Sequence, residues 1–278
     1  MKSVLLIDGD VIAFRCACSA EKDNAGIARA RMEEMLVGMM DDLQSDRYRI
    51  FLSGDRNFRY ELYPDYKANR RDRPRPRYLE DCREHLAKYW QAELSDGWEA
   101  DDSLGIEASR HLGLEESPPI ICSIDKDLKQ IPGQHWNFVK KEYEFVTAEL
   151  GIYRFYRQVL TGDPTDYVPG LKGIGPVKAE RLLDGLYGES QYFTRVRREY
   201  NDDYYLLLQG KLIWIMREEG KQWEFPYAIE SDSPMVYSGG GDKERTGSER
   251  GSDHSVHGEQ QLDVGETSIL CNRERMGD

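Results

Sequence analysis

The sequence predicts an α/β fold, a central and mostly parallel sheet followed by a smaller helical region. Short β-branched runs alternate with helical periodicities through about the first 160 residues, as expected of strands covered by helices. Beyond Leu160 the pattern changes to helices joined by a glycine-rich turn. Acidic residues recur where the strands end, and in open α/β sheets the ligand crevice lies at that carboxyl edge. With 39% hydrophobic and 32% charged residues, the chain can bury a large core and is too polar for a membrane protein.

Strands are expected at Ser3 to Asp8, Tyr48 to Ser53, Pro119 to Ile124 and about Trp136 to Val139. A helix is expected from Ala28 to Leu43, where Met32, Met35, Leu36, Met39, Met40 and Leu43 recur at helical spacing, and another from Asp101 to Leu112. Pro176 to Leu186 and Asp203 to Met216 are the clearest helices of the second region. These patterns divide the chain into a catalytic-type α/β region over 1–160, a helical region over 161–230 and a tail over 231–278. The tail opens near Gly239-Gly240-Gly241 and is poor in large apolar residues, so it is expected to be disordered. No apolar run is long enough for a spanning helix or a signal peptide, which points to the cytoplasm and away from membranes. The five cysteines include no C-x-x-C pair, so neither a disulfide framework nor a zinc site is expected.

The net charge of −13 argues weakly against a nucleic-acid partner, because residues 230–278 alone hold 11 acids against 5 bases. Much of the remaining acidity sits in short motifs: Asp8-Gly9-Asp10, Glu99-Ala100-Asp101-Asp102, Asp125-Lys126-Asp127 and Gly162-Asp163-Pro164-Thr165-Asp166. Singly, such acids are helix caps or turn formers. Brought to one edge of one sheet, they would repel unless cations held them. Asp125 and Asp127, two apart after a strand, face one site if strand geometry persists. Oxygen donors in this number imply Mg²⁺ or Mn²⁺, and a pair of such ions suits phosphodiester hydrolysis. His254 and His257, in the polar tail, read as solvated.

Two elements suit phosphate. From Tyr66 to Tyr78 six basic residues (Lys67, Arg70, Arg71, Arg73, Arg75, Arg77) face Asp72 alone, flanked by aromatics, as where single strands are gripped. Pro74 and Pro76 forbid a regular helix through its middle, so a mobile arch ordered by substrate is expected. The run Val168 to Ala179 reads as a hairpin of the helix-hairpin-helix kind. Gly173 and Gly175 allow close backbone approach, Pro176 opens a helix, and Lys172 and Lys178 flank the free amides, an arrangement for a duplex backbone.

In motif order, LIDGD, SGDRNFR, YKANR, EADD, SIDKD and TGDPTDYVPGLKGIGPVKA resemble the bacteriophage and bacterial 5′-to-3′ exonucleases, or flap endonucleases, particularly the small stand-alone phage type, over about residues 3–215. The resemblance implies a PIN-like 5′ nuclease fold with an arch and a helix-three-turn-helix region, acting on DNA 5′ ends, flaps and nicks, with RNA primers or RNA-DNA hybrids as further substrates, in phage replication or host DNA breakdown. It implies a first-metal set of Asp8, Glu99, Asp101 and Asp125 and a second-metal set of Asp127, Asp163 and Asp166. Asp125 and Asp102 would lie near both, with Asp55 an outer acid acting through water. Lys67 and Arg15 are similar to the residues that contact the scissile phosphate, and with Arg71 they are expected to neutralise charge on the transition state. Tyr66 and Arg70 fall to DNA binding beside them. The carbonyls of Leu160, Thr161, Pro169, Leu171 and Ile174 would hold K⁺. A monomer is expected. Asp10 stands where many relatives have a neutral residue, and Tyr167 replaces a common Asn. The rival readings are a PIN-type ribonuclease and a junction-binding protein without chemistry, the latter marked by gaps in the acidic set.

Overall fold

Strand β1 (Leu5–Asp8) is buried along its whole length, with Leu5 and Ile7 facing one layer of helices and Leu6 the other. That is the mark of a strand central in a sheet covered on both faces. In the computed structural model, which describes residues 2–111 and 118–226, the sheet has six strands in the order β3-β2-β1-β4-β5-β6. Strands β2 (Tyr48–Asn57), β3 (Glu93–Gly97), β4 (Ile120–Cys122) and β5 (Gly133–Asn137) run parallel to β1, and β6 (Glu142–Val146) closes one edge antiparallel to β5.

Helices α1 (Gly9–Ser19), α2 (Ala25–Asp42) and α4 (Leu79–Tyr89) share one core with Leu5, Ile7, Ile50 and Leu52. On the opposite face Ala100, Leu104 and Ala108 of α5 (Ala100–Arg110) pack on Leu6, Phe51 and Ile121. The short α3 (Phe58–Leu62) links β2 to the basic segment. A separate core joins α6 (Ala148–Thr161), α7 (Pro176–Leu183), α8 (Gly188–Tyr200) and α9 (Asp203–Ile213) around Phe155, Tyr156, Tyr192, Phe193 and Trp223. Residues 2–226 belong to one compact unit. The expected tail, with Gly239 to Gly241, His254, His257 and Cys271, lies outside the described residues, as does Leu112.

Several elements differ from expectation. β3 and β6 were not foreseen, because β3 is an edge strand burying only Ser95 and β6 is an edge strand burying only Val146. α1 follows β1 with no intervening loop, since Asp8 ends the strand and caps the helix, accepting from the Val11 N–H at 3.0 Å. β4 ends at Cys122, short of the acids expected to continue it. Among the described residues no helix is long and apolar enough to cross a membrane.

Candidate active site

Parallel strands deliver their carboxyl ends to one edge, and there the acids gather. Asp8 terminates β1 and is buried, accepting from Ser123 Oγ at 2.8 Å as well as from Val11. Burial raises its carboxyl to about 7, with the charges of Asp10 and Asp125 adding to the shift. Asp101, in the first turn of α5, is pushed well above the usual carboxylate range by burial and by Asp8, Asp125 and Glu99. Asp125 is raised by burial, with Asp166 and Asp163 contributing, and Asp127 well raised by burial and by Asp125 and Asp163.

The strand alternation expected for Asp125 and Asp127 is absent. The chain turns after Cys122, Ser123 Oγ accepts the Asp125 N–H at 3.0 Å, and Asp125 Oδ1 accepts the Asp127 N–H at 2.8 Å. A side-chain turn therefore brings the two acids together where a strand would not. Asp163 is fixed by paired backbone bonds with Val168, both 2.8 Å, which close a bracket around Asp166. Gly162, at φ +70°, makes the bracket possible, since a Cβ there would stand 2.3 Å from the Val168 oxygen. Gln158 Nε2 donates to Asp127 Oδ1 at 2.9 Å.

A second group of acids at the same edge is matched by cations. Lys67 Nζ donates to Glu99 and lies 3.5 Å from Asp166. Tyr66 Oη stands 3.0 Å from Glu99 Oε2 and 2.9 Å from Asp166 Oδ2. Arg70 pairs with Asp166 at 2.5 Å. Against the upward push of burial, Lys67 and Arg59 hold Glu99 down at about 2. The same two acids outweigh burial at Lys67 and keep its ammonium well above the usual lysine range.

Asp102 departs from the metal sets. It has no solvent exposure, and its carboxylate receives a two-pronged guanidinium from Arg59 at 2.6 and 2.9 Å, the Glu99 N–H at 3.1 Å and the Met216 N–H at 3.0 Å. Every accepting position is used, so it is a cap and an ion-pair partner. Tyr66 is likewise no stacking platform: it is 2% exposed and belongs to the helical core. Tyr167, at φ +59° and half exposed, is the aromatic open to solvent beside Asp166. Asp55 is exposed on β2 and makes no hydrogen bond or ion pair among the described residues. Arg15 lines a groove between α1 and α2 with Arg31 and Glu34. Arg71 donates to the Pro64 carbonyl.

The basic segment is held at both ends. The Lys67 N–H donates to the Asp166 carbonyl at 2.8 Å, Asn69 and Arg70 donate to the carbonyls of Pro164 and Thr165, and Tyr78 Oη donates to the Asp23 carbonyl at 3.1 Å. Lys67 adopts a left-handed φ of +55° at the start of a single 3-10 turn, and a regular helix resumes at Leu79, past the prolines. In the hairpin, Gly175 caps α7 with Pro176 in its first turn, Gly173 has φ +81°, and Lys172 and Lys178 are exposed and unpaired among the described residues. The carbonyls of Leu160 and Leu171 accept the N–H groups of Leu171 and Ile174, at 2.9 and 3.0 Å. The other three carbonyls expected around K⁺, those of Thr161, Pro169 and Ile174, lie in and around the same turn.

Two arginines escaped the sequence reading. Arg59 lies inside the quoted SGDRNFR run but looks like any charged residue until its burial is known. Arg83 on α4 donates to Asp10 and to the Ser53 carbonyl, and Asp10 also accepts the Ser53 N–H at 2.8 Å. Its signal was the apolar spacing of Leu79, Cys82 and Leu86, which sets a helix with Arg83 beside the buried face.

The N-terminal resolvase-like domain of the 5′-3′ exonucleases matches residues 3–155. The chain belongs to the 5′-3′ exonuclease family. It is 29% identical over 202 residues to flap endonuclease Xni of Shewanella putrefaciens, covering 66% of this chain and 74% of that one. It is 30% identical over 203 residues to the thermostable DNA polymerase I of Thermus caldophilus, covering 65% of this chain and 24% of that polymerase. The fold is PIN-like. T5 5′-exonuclease with zinc bound superposes with a TM-score of 0.61 at 15% identity, over 76% of this chain and 89% of that one. The T5 flap endonuclease in a pseudo-enzyme-product complex with DNA and metal ions gives 0.58 at 16% identity, over 77% and 88%. This member of the family therefore carries the nuclease fold with its acids at the expected sheet edge.

Among the described residues no three or more His, Cys, Asp or Glu side chains stand in an arrangement that could hold a metal ion as they are placed. The donors nonetheless fit hard divalent ions in kind. They are all carboxylates, and Asp8, Asp101, Asp125 and Asp127 are in no ion pair among the described residues, while the charges around them raise one another more than the nearby Lys67 and Lys126 lower them.

Proposed function

We propose that the chain hydrolyses phosphodiester bonds at DNA 5′ ends, flaps and nicks by a two-metal, Mg²⁺-dependent mechanism, Mn²⁺ substituting. The observation that carries this is the set of uncompensated acids at the sheet's carboxyl edge, adjoining Lys67 and Arg70. Asp8, Asp101 and Asp125 would hold one ion, and Asp125, Asp127 and Asp163 the other, with Glu99 and Asp166 drawn in from their cations. Such a pair, when bound, supplies an activated water for in-line attack and stabilises the leaving oxygen.

The chain's own residues do the rest. Exposed Lys172 and Lys178 and the amides opening α7 take the duplex backbone without reading sequence, with K⁺ at the hairpin carbonyls. Lys67 and Arg70 bring positive charge to the boundary between acids and basic segment, where phosphate charge must be balanced. Relatives named as flap endonucleases, and a T5 relative solved with DNA and metal ions, support the substrate class. A monomer suffices, since every group invoked lies in one chain.

Asp125→Asn tests the reading. With Mg²⁺, it is expected to abolish cleavage of a 5′-labelled flap and of a nicked duplex while duplex binding survives. DNA and RNA versions of the 5′ strand, run side by side, show whether primers are also cut. Wild-type turnover by the variant would reject the metal assignment.

A further inference from the structure

Arg59 is 3% exposed, and its guanidinium is satisfied from three directions. Two nitrogens grip Asp102, Nε donates to the Leu212 carbonyl at 3.0 Å, and Nη2 donates to the Trp214 carbonyl at 2.7 Å. Nη1 also lies 3.8 Å from Glu99. Leu212 and Trp214 mark the end of α9, whereas Asp102 and Glu99 fix the start of α5. One side chain thus joins the helix opening that carries Glu99 and Asp101 to the C-terminal helical region.

Other contacts reinforce this joint. The Met216 N–H donates to Asp102, and a Cβ at Gly105 would stand 2.4 Å from the Met216 oxygen, so the chain after α9 lies directly on α5. Farther up α9, Gln209 Oε1 accepts the Gly170 N–H of the hairpin at 2.9 Å. Continuous contacts therefore run from the hairpin through α9 to Arg59 and on to the acids.

We infer that Arg59 is a positioning residue for cleavage, setting Glu99 and Asp101 relative to the hairpin region through its fork on Asp102 and its bonds to the end of α9. The inference rests on the acidic edge being the active site. A purely structural ion pair could be exchanged for apolar side chains with little loss, since buried pairs are often replaceable at no cost to folding. A positioning pair could not. Groups that orient metal ligands typically cost 10- to 100-fold in metal affinity or activity when removed.

The test combines Arg59→Met with Asp102→Leu in the full chain. Folding is followed by thermal melting in chelator, duplex affinity with Ca²⁺, and single-turnover flap cleavage across a Mg²⁺ titration. The double variant gives up the bonds to the Glu99 and Met216 N–H groups and to the Leu212 and Trp214 carbonyls, so it is expected to melt below the wild type yet cooperatively. It is expected to bind duplex within about twofold at a temperature where it is folded, and to need roughly tenfold more Mg²⁺ for half-maximal cleavage with a roughly tenfold lower rate. A folded double variant with wild-type Mg²⁺ dependence and rate overturns the inference. Gly105→Ala provides a route that touches no charge, because its methyl pushes Met216 away from α5. It should raise the Mg²⁺ requirement in the same direction, and an unchanged requirement in a folded Gly105→Ala counts equally against the inference. Wild-type protein that fails to cleave with Mg²⁺ would instead reject the nuclease reading itself.

Discussion

Asp101 and Asp102 are chain neighbours in the first turn of one helix, yet they belong to opposite electrostatic worlds. Asp102 is the centre of a saturated network with Arg59, and with Glu99 and Asp166 it belongs to a side of the cleft where Arg59, Lys67 and Arg70 answer each negative charge. Asp101 faces Asp8 and Asp125, and none of these three carboxylates is in an ion pair among the described residues. The difference teaches that an acidic motif is two kinds of object. Acids with partners assemble the site, and acids left without partners are the ones a divalent ion can stabilise.

Identical substitutions on the two neighbours should therefore act in opposite directions. Asp102→Asn leaves a buried guanidinium without its counter-charge, a change that costs about 3 to 5 kcal/mol, or roughly 10 °C in a unit of this size. Asp101→Asn removes a charge that its neighbours oppose, so it should raise the melting temperature in chelator while abolishing Mg²⁺-dependent cleavage. Melting both variants without metal decides the matter. Shifts of the same sign would break the distinction between the two sides.

Much of this cleft could be read from the chain before any coordinates. Acidic residues following short apolar runs located β1, β2 and β4, and their parallel course followed from the helical periodicities between them. What could not be read was partnership. Asp102 looks like its neighbours in EADD, and only the burial of Arg59, 43 positions earlier, removes it from the metal sets. Tyr66 looks like an exposed aromatic beside a basic run, but its ring enters a core formed by α6 to α9, a long-range packing fact that no local pattern contains. Asp125 and Asp127 come together for a reason other than the expected one, a turn in place of a strand. Local spacing reports chemistry well; the choice among similar acids is made by distant residues.

A smaller effect sharpens the same comparison through pH. In the folded chain Asp8 stays protonated up to about 7, against an unfolded value of 3.8. Between these values the folded chain binds the extra proton, so metal-free stability should fall as pH rises from about 4 to 7 and level off above. Asp8 contributes a few kcal/mol to that fall, about 1.4 per pKa unit. Asp8→Asn should flatten the slope in urea titrations run in chelator, and millimolar Mg²⁺ should restore wild-type stability at pH 8. A slope unchanged in Asp8→Asn would mean that the uncompensated side carries no such strain.

The smallest expected effect separates the paired cations from the free ones. Lys67 already neutralises Glu99 and Asp166, so its gain from a phosphate is offset by what it gives up, whereas Lys172 and Lys178 approach DNA with nothing to exchange but solvent and counterions. Each phosphate neutralised by a free lysine contributes about 0.9 to the slope of log affinity against log salt. Lys172→Ala with Lys178→Ala should therefore flatten that slope for duplex binding by nearly two, while Lys67→Ala leaves it almost unchanged and slows single-turnover cleavage instead. The reverse pattern, a slope that follows Lys67 and ignores the hairpin, would place the duplex on the acidic edge and make Lys67 a binding residue, free of its acids before DNA arrives.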